Sequence, residues 1–158
     1  MSTPDWPVHR FDDMARVDEL HRLVQSAFRD LPIDPSSSVL KETVANVTKW
    51  MQSETCFVVD VDGCLIGSVF CARQDHALYI GRLAVAPGWR RRGVASALVD
   101  AAGAEARRIG ATRMTLEARI MLSNNIALFR RHGFVVTAEE THTGFSAPTS
   151  YAMELTLA

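Results

Sequence analysis

The chain has 158 residues, of which 47% are hydrophobic and 22% are charged, and this size and balance suit one globular domain with one substantial core. Its formal net charge is −1, which excludes the global positive field that draws proteins to nucleic acids or anionic membranes. We therefore expect residues 1–158 to form a single domain in which any anion site is local.

The first third of the chain predicts a strand and two helices. Residues 7–11 predict a short strand, after which Asp12 or Asp13 can cap an amphipathic helix that ends near Leu31. Prolines and serines over 32–38 predict a loop, and one of those serines can cap a second helix through residues 39–51.

The rest of the chain alternates strand and helix patterns. Residues 55–61 and 64–72 are β-rich runs joined at Asp62-Gly63, a dipeptide that favours a tight hairpin. In chain order there follow a strand over 77–85, a helix over 94–109, a strand over 112–118, a short helix over 124–131, and strands over 134–143 and 151–157. The strand after the long helix is entered from a crossover, which predicts that it runs parallel to the strand before that helix.

These elements predict an α+β fold. We expect a mixed, mostly antiparallel sheet of about six to seven strands, with about four helices and one central β-α-β unit. We find no internal repeat or low-complexity segment in the sequence.

The cysteines and the first residues of the chain indicate the cellular compartment that we expect. Cys56, Cys64 and Cys71 lie in apolar runs typical of strands and lack the spacing with histidine of metal ligands, so we expect three reduced core cysteines and no metal site. The first residues have neither a basic cap nor an apolar run, and no 18 consecutive apolar residues occur. We therefore expect a cytoplasmic protein that does not bind membranes.

Arg90, Arg91 and Arg92 precede Gly93 at the predicted start of the long helix. A helix N-terminus presents unpaired N–H groups and a partial positive charge, so three arginines have the wrong sign for an isolated helix end. The run is either a solvated basic turn or an anion site, in which glycine brings the backbone close to phosphate oxygens.

The segment from Leu83 to Ala95 resembles motif A of the GNAT superfamily, written (Arg/Gln)-x-x-Gly-x-(Gly/Ala) after a strand that ends in Leu-x-Val. Arg90, Gly93 and Ala95 fill its three defined positions. The resemblance extends to Gly133-Phe134, a common ending in the family, and covers about half of the chain.

The resemblance implies a GNAT fold and an N-acetyltransferase that uses acetyl-CoA as co-substrate. The backbone of Leu83, Ala84 and Val85 would pair with the pantetheine arm, and Arg90 with one of its neighbours would contact phosphates. The pyrophosphate would be held by the amides of six consecutive residues, namely Arg91, Arg92, Gly93, Val94, Ala95 and Ser96. The side chain of Val94 would pack inward, and Asn124 or Asn125 would replace an asparagine frequent in the family.

The family's chemistry passes the acetyl group directly to a bound amine. In many members a tyrosine four residues before the Gly-Phe pair acts as the general acid. This chain has Phe129 at that position, and phenylalanine cannot donate a proton. The candidates for catalysis are Tyr79, near the position of a general base in some members, and Glu117. Each has a plain alternative, since Tyr79 can simply pack on the sheet and Glu117 can be a surface residue. His76 and His142 lie near turns, where exposed histidines are common.

Other function classes stay open at this stage. Because that tyrosine is absent, one alternative is a GNAT-like module that binds or senses acyl-CoA without turnover. A nucleic-acid or phosphopeptide module is opposed by the near-neutral charge, and nucleotide-binding glycine motifs are absent. The acceptor is either a small-molecule amine or a protein amine, and a homodimer is compatible with the fold by analogy alone.

Overall fold

The computed structural model describes residues 5–158, which form a seven-stranded sheet flanked by four α-helices. The strands are β1 (Val8–Arg10), β2 (Thr55–Val61), β3 (Cys64–Gln74), β4 (Ala77–Val85), β5 (Arg113–Arg119), β6 (Val135–Glu140) and β7 (Ser150–Thr156). The helices are α1 (Val17–Arg29), α2 (Val44–Ser53), α3 (Val94–Arg108) and α4 (Ser123–Arg131).

The strands lie in the order β1-β2-β3-β4-β5-β7-β6. Strands β2, β3 and β4 form an antiparallel meander, and within residues 5–158 the parallel pair is β4 with β5, which α3 connects. The predicted α+β class, the mixed sheet and the central β-α-β unit are therefore confirmed.

The two faces of the sheet carry separate apolar clusters. Helices α1 and α2 cover one face, where residues such as Leu20, Val24 and Phe70 are buried. Helices α3 and α4 cover the other face around Leu98 and Phe134. Each large apolar side chain buried in this way contributes about 1.5–3 kcal/mol relative to leaving it in water. Strand β4 lies between both layers and is held from each side.

The second predicted helix is split in the structure. Ser37 caps a short 3₁₀ turn over Ser38–Lys41, and α2 begins only after Thr43. The reason is a capping box. The Thr43 hydroxyl accepts a hydrogen bond from the backbone N–H of Asn46, and the Asn46 side-chain oxygen accepts one from the backbone N–H of Thr43. Asp13, one of the two predicted caps, opens a 3₁₀ turn that runs into α1.

Strands β2 and β4 have the predicted bounds, and the ends of the other strands differ from the predictions by at most three residues. Strand β6 ends at Glu140, because the chain leaves the sheet to make the loop before Ser150 that returns as β7. Among the described residues, no helix combines the length and apolar character needed to cross a membrane.

The expectation of three core cysteines is wrong for Cys64. Cys56 and Cys71 are buried free thiols, and burial raises the pKa of Cys71 to about 12. Cys64 is exposed because it is the first residue of β3, directly after the Asp62-Gly63 turn, where the alternation of the strand turns it away from buried Leu65.

Candidate functional site

A cleft opens where β4 and β5 part. The two strands pair at Ala77, Leu78 and Tyr79 opposite Arg113, Met114 and Thr115. In the part of the chain that the structure describes, this pairing stops there, although β4 continues to Val85 and β5 to Arg119. The β5-facing edge of β4 from Ile80 onward therefore keeps backbone groups available for another partner.

A bulge in β4 accompanies this divergence. Ser68 pairs with Ala84 and Phe70 with Gly81, so β4 carries one more residue than β3 between these positions. The extra length is taken up at Arg82, whose φ of 50° is left-handed and costs about 1–3 kcal/mol for a residue other than glycine. Its guanidinium forms an ion pair with Glu42 at 2.8 Å, which holds the bulge in place. Leu83, Ala84 and Val85 lie directly after this bulge.

The loop before α3 has the backbone geometry of an anion cradle. Arg91 has a φ of 63° and Gly93, the N-cap of α3, a φ of 85°. Left-handed residues alternating with ordinary ones turn successive N–H groups toward one side, and the first turn of α3 adds the unpaired amides of a helix end. Gly93 has no side chain to obstruct an approaching anion.

The first turn of α3 is fixed against the sheet by Gly67. A Cβ atom at Gly67 would lie only 2.7 Å from Val94 Cγ1 and 3.1 Å from Leu98 Cδ1. Val94 itself is buried, with 1% of its surface exposed, so its side chain packs inward as expected and its amide is left at the helix end. Ala95 is partly buried against the same core.

The three arginines differ in their contacts. Arg90 donates to the carbonyl of Ala27 at 2.8 Å and lies 3.3 Å from Asp30, so it joins the loop to the end of α1. Arg91 is exposed, and the Arg92 guanidinium lies 5.1 Å from the ring centre of Trp89. The expectation that Arg90 contacts phosphate stays a prediction, but this side chain already has protein partners.

Ser96 contacts α4 through His132. The Ser96 hydroxyl lies 2.9 Å from His132 Nε2, and His132 Nδ1 lies 3.3 Å from Asp100, one turn further along α3. Sequence reasoning missed His132, whose only signal was its position beside the Gly-Phe pair. This contact holds the end of α4 against the first turn of α3.

Helix α4 carries the other two predicted cofactor residues. Asn124 is exposed in its first turn, near the end of β5. Phe129 is buried and packs edge to face with Phe134, with ring centres 6.0 Å apart. No hydroxyl is available at position 129.

Tyr79 and Glu117 line one groove. The groove has a volume of about 350 Å³ and lies on the side of β5 and β7 that α3 and α4 leave open, with Thr115, Thr137 and Glu154 also on its wall. Desolvation raises the pKa of Tyr79, and so does the nearby charge of Glu117. Desolvation also raises the pKa of Glu117, with Glu140 as a second cause, although Glu117 remains open to solvent on one side. The groove thus holds a phenol and a carboxyl group whose pKa values are both raised.

The two histidines considered from sequence lie apart from this pair. His76 is exposed at the turn between β3 and β4. His142 contacts the hydroxyl of Thr149 across the β6–β7 loop, and its charge lowers the pKa of Glu117. His142 is thus near the groove but bonded to its own loop.

The sequence also missed the aromatic residues beside the cradle. Trp6 donates its indole N–H to the carbonyl of Arg92 at 2.7 Å, and its ring meets Trp89 edge to face at 5.8 Å. Trp6 is 86 positions from Arg92 in the chain, so no local pattern could have linked them.

The fold is that of known acetyltransferases. The ribosomal-protein-alanine N-acetyltransferase from Brucella melitensis has a TM-score of 0.80 at 16% identity, covering 96% of this chain and 99% of that one. The structure of yncA from Salmonella typhimurium with its cofactor acetyl-CoA has a TM-score of 0.81 at 18% identity, covering 98% and 95%. At these identities the likeness establishes the fold alone.

Comparisons of sequence identify a relative and a matching family. The N-alpha-acetyltransferase MAK3 from Arabidopsis thaliana is 28% identical over 110 residues, which are 67% of this chain and 58% of that protein. The profile of the Acetyltransferase (GNAT) family matches residues 17–134, well over half of the chain and including β2 to α4. The chain therefore belongs to the GNAT acetyltransferase family.

Proposed function

We propose that this chain, as one N-acetyltransferase domain over residues 1–158, moves an acetyl group from acetyl-CoA to a primary amine by direct attack while both are bound. The observation that carries the proposal is the cleft between β4 and β5, which leads to a backbone anion cradle at the start of α3. A cofactor with a linear amide arm and a pyrophosphate needs these two features in this order.

The residues of the cleft fit acetyl-CoA. The left-handed Arg91 and Gly93 favour a bound phosphate, and the strand edge after the bulge offers backbone groups to the amides of the arm. In this proposal Leu83, Ala84 and Val85 hold the arm, and the amides from Arg91 to Ser96 hold the pyrophosphate. Asn124 and Phe129 are the proposed cofactor contacts from α4, and acetyl-CoA supplies the activated acetyl group.

Glu117 and Tyr79 are the proposed catalytic pair. An amine must lose a proton before it attacks, and the raised pKa of Glu117 makes this carboxylate a better proton acceptor than an ordinary surface glutamate. Tyr79 is protonated at neutral pH, because an ordinary tyrosine has a pKa of about 10 and the pKa of Tyr79 is raised further. Its hydroxyl therefore positions the amine or a bridging water instead of acting as a base. With Phe129 at the tyrosine position, the departing thiolate takes its proton from water.

The proposed acceptor is the α-amine at the N-terminus of a peptide or protein. An α-amine has a pKa of about 7.7–8.0, so freeing it of a proton at pH 7 costs about 1 kcal/mol, against about 4–5 kcal/mol for an alkyl amine with a pKa of about 10.4. A site whose proton acceptor is a solvent-accessible carboxylate suits the less demanding amine. The groove is also open at the surface, and the MAK3 relative is an N-alpha-acetyltransferase.

The test is release of free thiol from acetyl-CoA with matched acceptors. One peptide has a free N-terminus and no lysine; its partner has the same sequence with a blocked N-terminus and one added lysine, and a small alkyl amine is the third acceptor. We expect turnover with the first peptide and at least 10-fold less with the others.

Preference for the lysine peptide or the alkyl amine would contradict the α-amine assignment but not the transfer reaction. Tight CoA binding with no acceptor-dependent thiol release would instead favour an acyl-CoA sensing module, the alternative raised by Phe129.

A further inference from the structure

The indole of Trp6 is bonded to the phosphate loop itself. Its N–H donates to the carbonyl of Arg92 at 2.7 Å, and Arg92 is the residue directly before Gly93. The two indoles of Trp6 and Trp89 meet edge to face at 5.8 Å, and the Arg92 guanidinium covers Trp89 at 5.1 Å. The loop before α3 is thus contacted by Trp6, a residue far away in sequence.

The segment that carries Trp6 is itself anchored. Strand β1 follows two residues later and pairs with β2 from Val8 to Arg10. Arg10 forms an ion pair at 3.1 Å with Glu105 of α3, a residue that is only 7% exposed. The residues after Trp6 are therefore anchored both to β2 and to the last turn of α3.

The direction of one peptide group depends on this contact. In a trans peptide the C=O of one residue and the N–H of the next point in opposite directions. Because the Arg92 carbonyl is held toward Trp6, the Gly93 N–H is aimed away from Trp6. Glycine restricts its own backbone little, so the sequence of the loop does not by itself prevent this peptide from turning over. A carbonyl turned inward would repel a phosphate.

We propose that Trp6 is a positioning residue of the phosphate loop, which fixes the Arg92–Gly93 peptide so that the Gly93 N–H faces the pyrophosphate. The proposal rests on the proposed function, because it assumes that the loop binds CoA. It adds a residue that lies outside both motif A and the matched range 17–134.

The test is Trp6→Phe, which keeps an aromatic ring against Trp89 and removes the donor. We expect the Kd for CoA and the KM for acetyl-CoA to rise roughly 2- to 12-fold, the range that the net value of one hydrogen bond spans, with kcat unchanged. S-Acetyl-pantetheine lacks the pyrophosphate, so its kcat/KM should be the same in the variant and the wild type.

Trp50→Phe is the matched control. Trp50 also has a buried indole N–H, but within the described residues this group has no hydrogen-bond partner, so its removal breaks no such bond. Its CoA affinity should stay at the wild-type value. Circular dichroism and thermal unfolding would verify that both variants are folded.

Two results would overturn the role of Trp6. One is a folded Trp6→Phe variant that binds CoA with wild-type affinity. The other is an equal loss of activity with S-acetyl-pantetheine, which would make the contact a general structural support. Absence of CoA binding by the wild-type chain would contradict the proposed function itself, and is therefore a distinguishable outcome.

Discussion

Glu117, the proposed proton acceptor, has a raised pKa that carries a cost in stability at neutral pH. It lies on β5 where the strand has parted from β4, beside Tyr79 in an open groove. Desolvation and the neighbouring Glu140 raise its pKa, because both make the ionised carboxylate less stable in the fold than in water. Groups perturbed in this way concentrate at functional sites, which supports its assignment as the proton acceptor.

Glu117→Gln should lower kcat on the order of 10²-fold, the low end of what a general base contributes. In the wild type, kcat/KM should rise as pH passes through the raised pKa of Glu117, because the ionised form is the base, and the variant should lose this limb. A pH series of thiol release with a free N-terminal peptide measures both. Glu139→Gln, an exposed carboxylate on β6, is the control, and an identical pH profile in the Glu117 variant would rule out its role.

The same variant has an opposite expected effect on stability. The pKa of Glu117 is raised in the folded state, so the protonated side chain contributes to the free energy of unfolding. This contribution is complete below the unfolded pKa and is lost as pH rises through the folded pKa. At pH 7 the ionised side chain therefore destabilises the fold slightly. Glu117→Gln should raise Tm modestly at pH 7 relative to the wild type but not at pH 4. A lower Tm at pH 7 would contradict the cause assigned to the pKa shift.

At the scale of elements, local chemistry predicts more than tertiary packing does. The hairpin at Asp62-Gly63 and the helix after Gly93 follow from turn and cap preferences, and both were predicted from the sequence. The bulge at Arg82 was not, because an arginine with left-handed φ depends on its ion pair with Glu42, 40 positions away. The split before α2 was missed because Ser37 and Thr43 are both good caps and only the structure selects between them.

The contact between β3 and α3 gives a sharp test at this scale. Gly67→Ala would place a Cβ 2.7 Å from Val94 Cγ1, and valine in a helix has little freedom to turn away. The start of α3 should shift, with a loss of stability of about 1–3 kcal/mol and weaker CoA binding. Thermal unfolding and calorimetry measure the two effects.

Gly88→Ala is the matched control for that variant. Gly88 also lies close to the loop before α3, but a Cβ atom there would have nothing within 4 Å, so stability and CoA affinity should hardly change. Equal behaviour of the two alanine variants would show that the position of α3 does not depend on Gly67.

At the scale of the whole molecule, the candidate site combines elements from the range that matches the family with contacts from residues on either side of that range. The matched range 17–134 contains β4, α3, β5 and α4, which build the cleft. Trp6 comes before this range, while β6 and β7 come after it and complete the groove around Glu117. The compact motif therefore predicted where α3 begins, and the loop before it is the proposed cofactor loop. The contact of Trp6 with Arg92 and the wall of the groove around Glu117 could not be predicted, because both arise only when segments distant in sequence come together.

Thermal unfolding with acetyl-CoA tests this convergence in one measurement. A ligand that binds only the folded chain adds about 2.7 kcal/mol at 100 times its Kd. For a chain of this size, 1 kcal/mol raises Tm by about 2–4 °C, so saturating acetyl-CoA should raise it by roughly 5–11 °C. NADH and ATP should do less at equal concentration, because they carry phosphates without the pantetheine arm that the free edge of β4 is proposed to bind. A shift with ATP as large as that with acetyl-CoA would reduce the site to a phosphate cradle and contradict the role of Leu83, Ala84 and Val85. A shift with acetyl-CoA alone would mean that strand edge and cradle bind one ligand together.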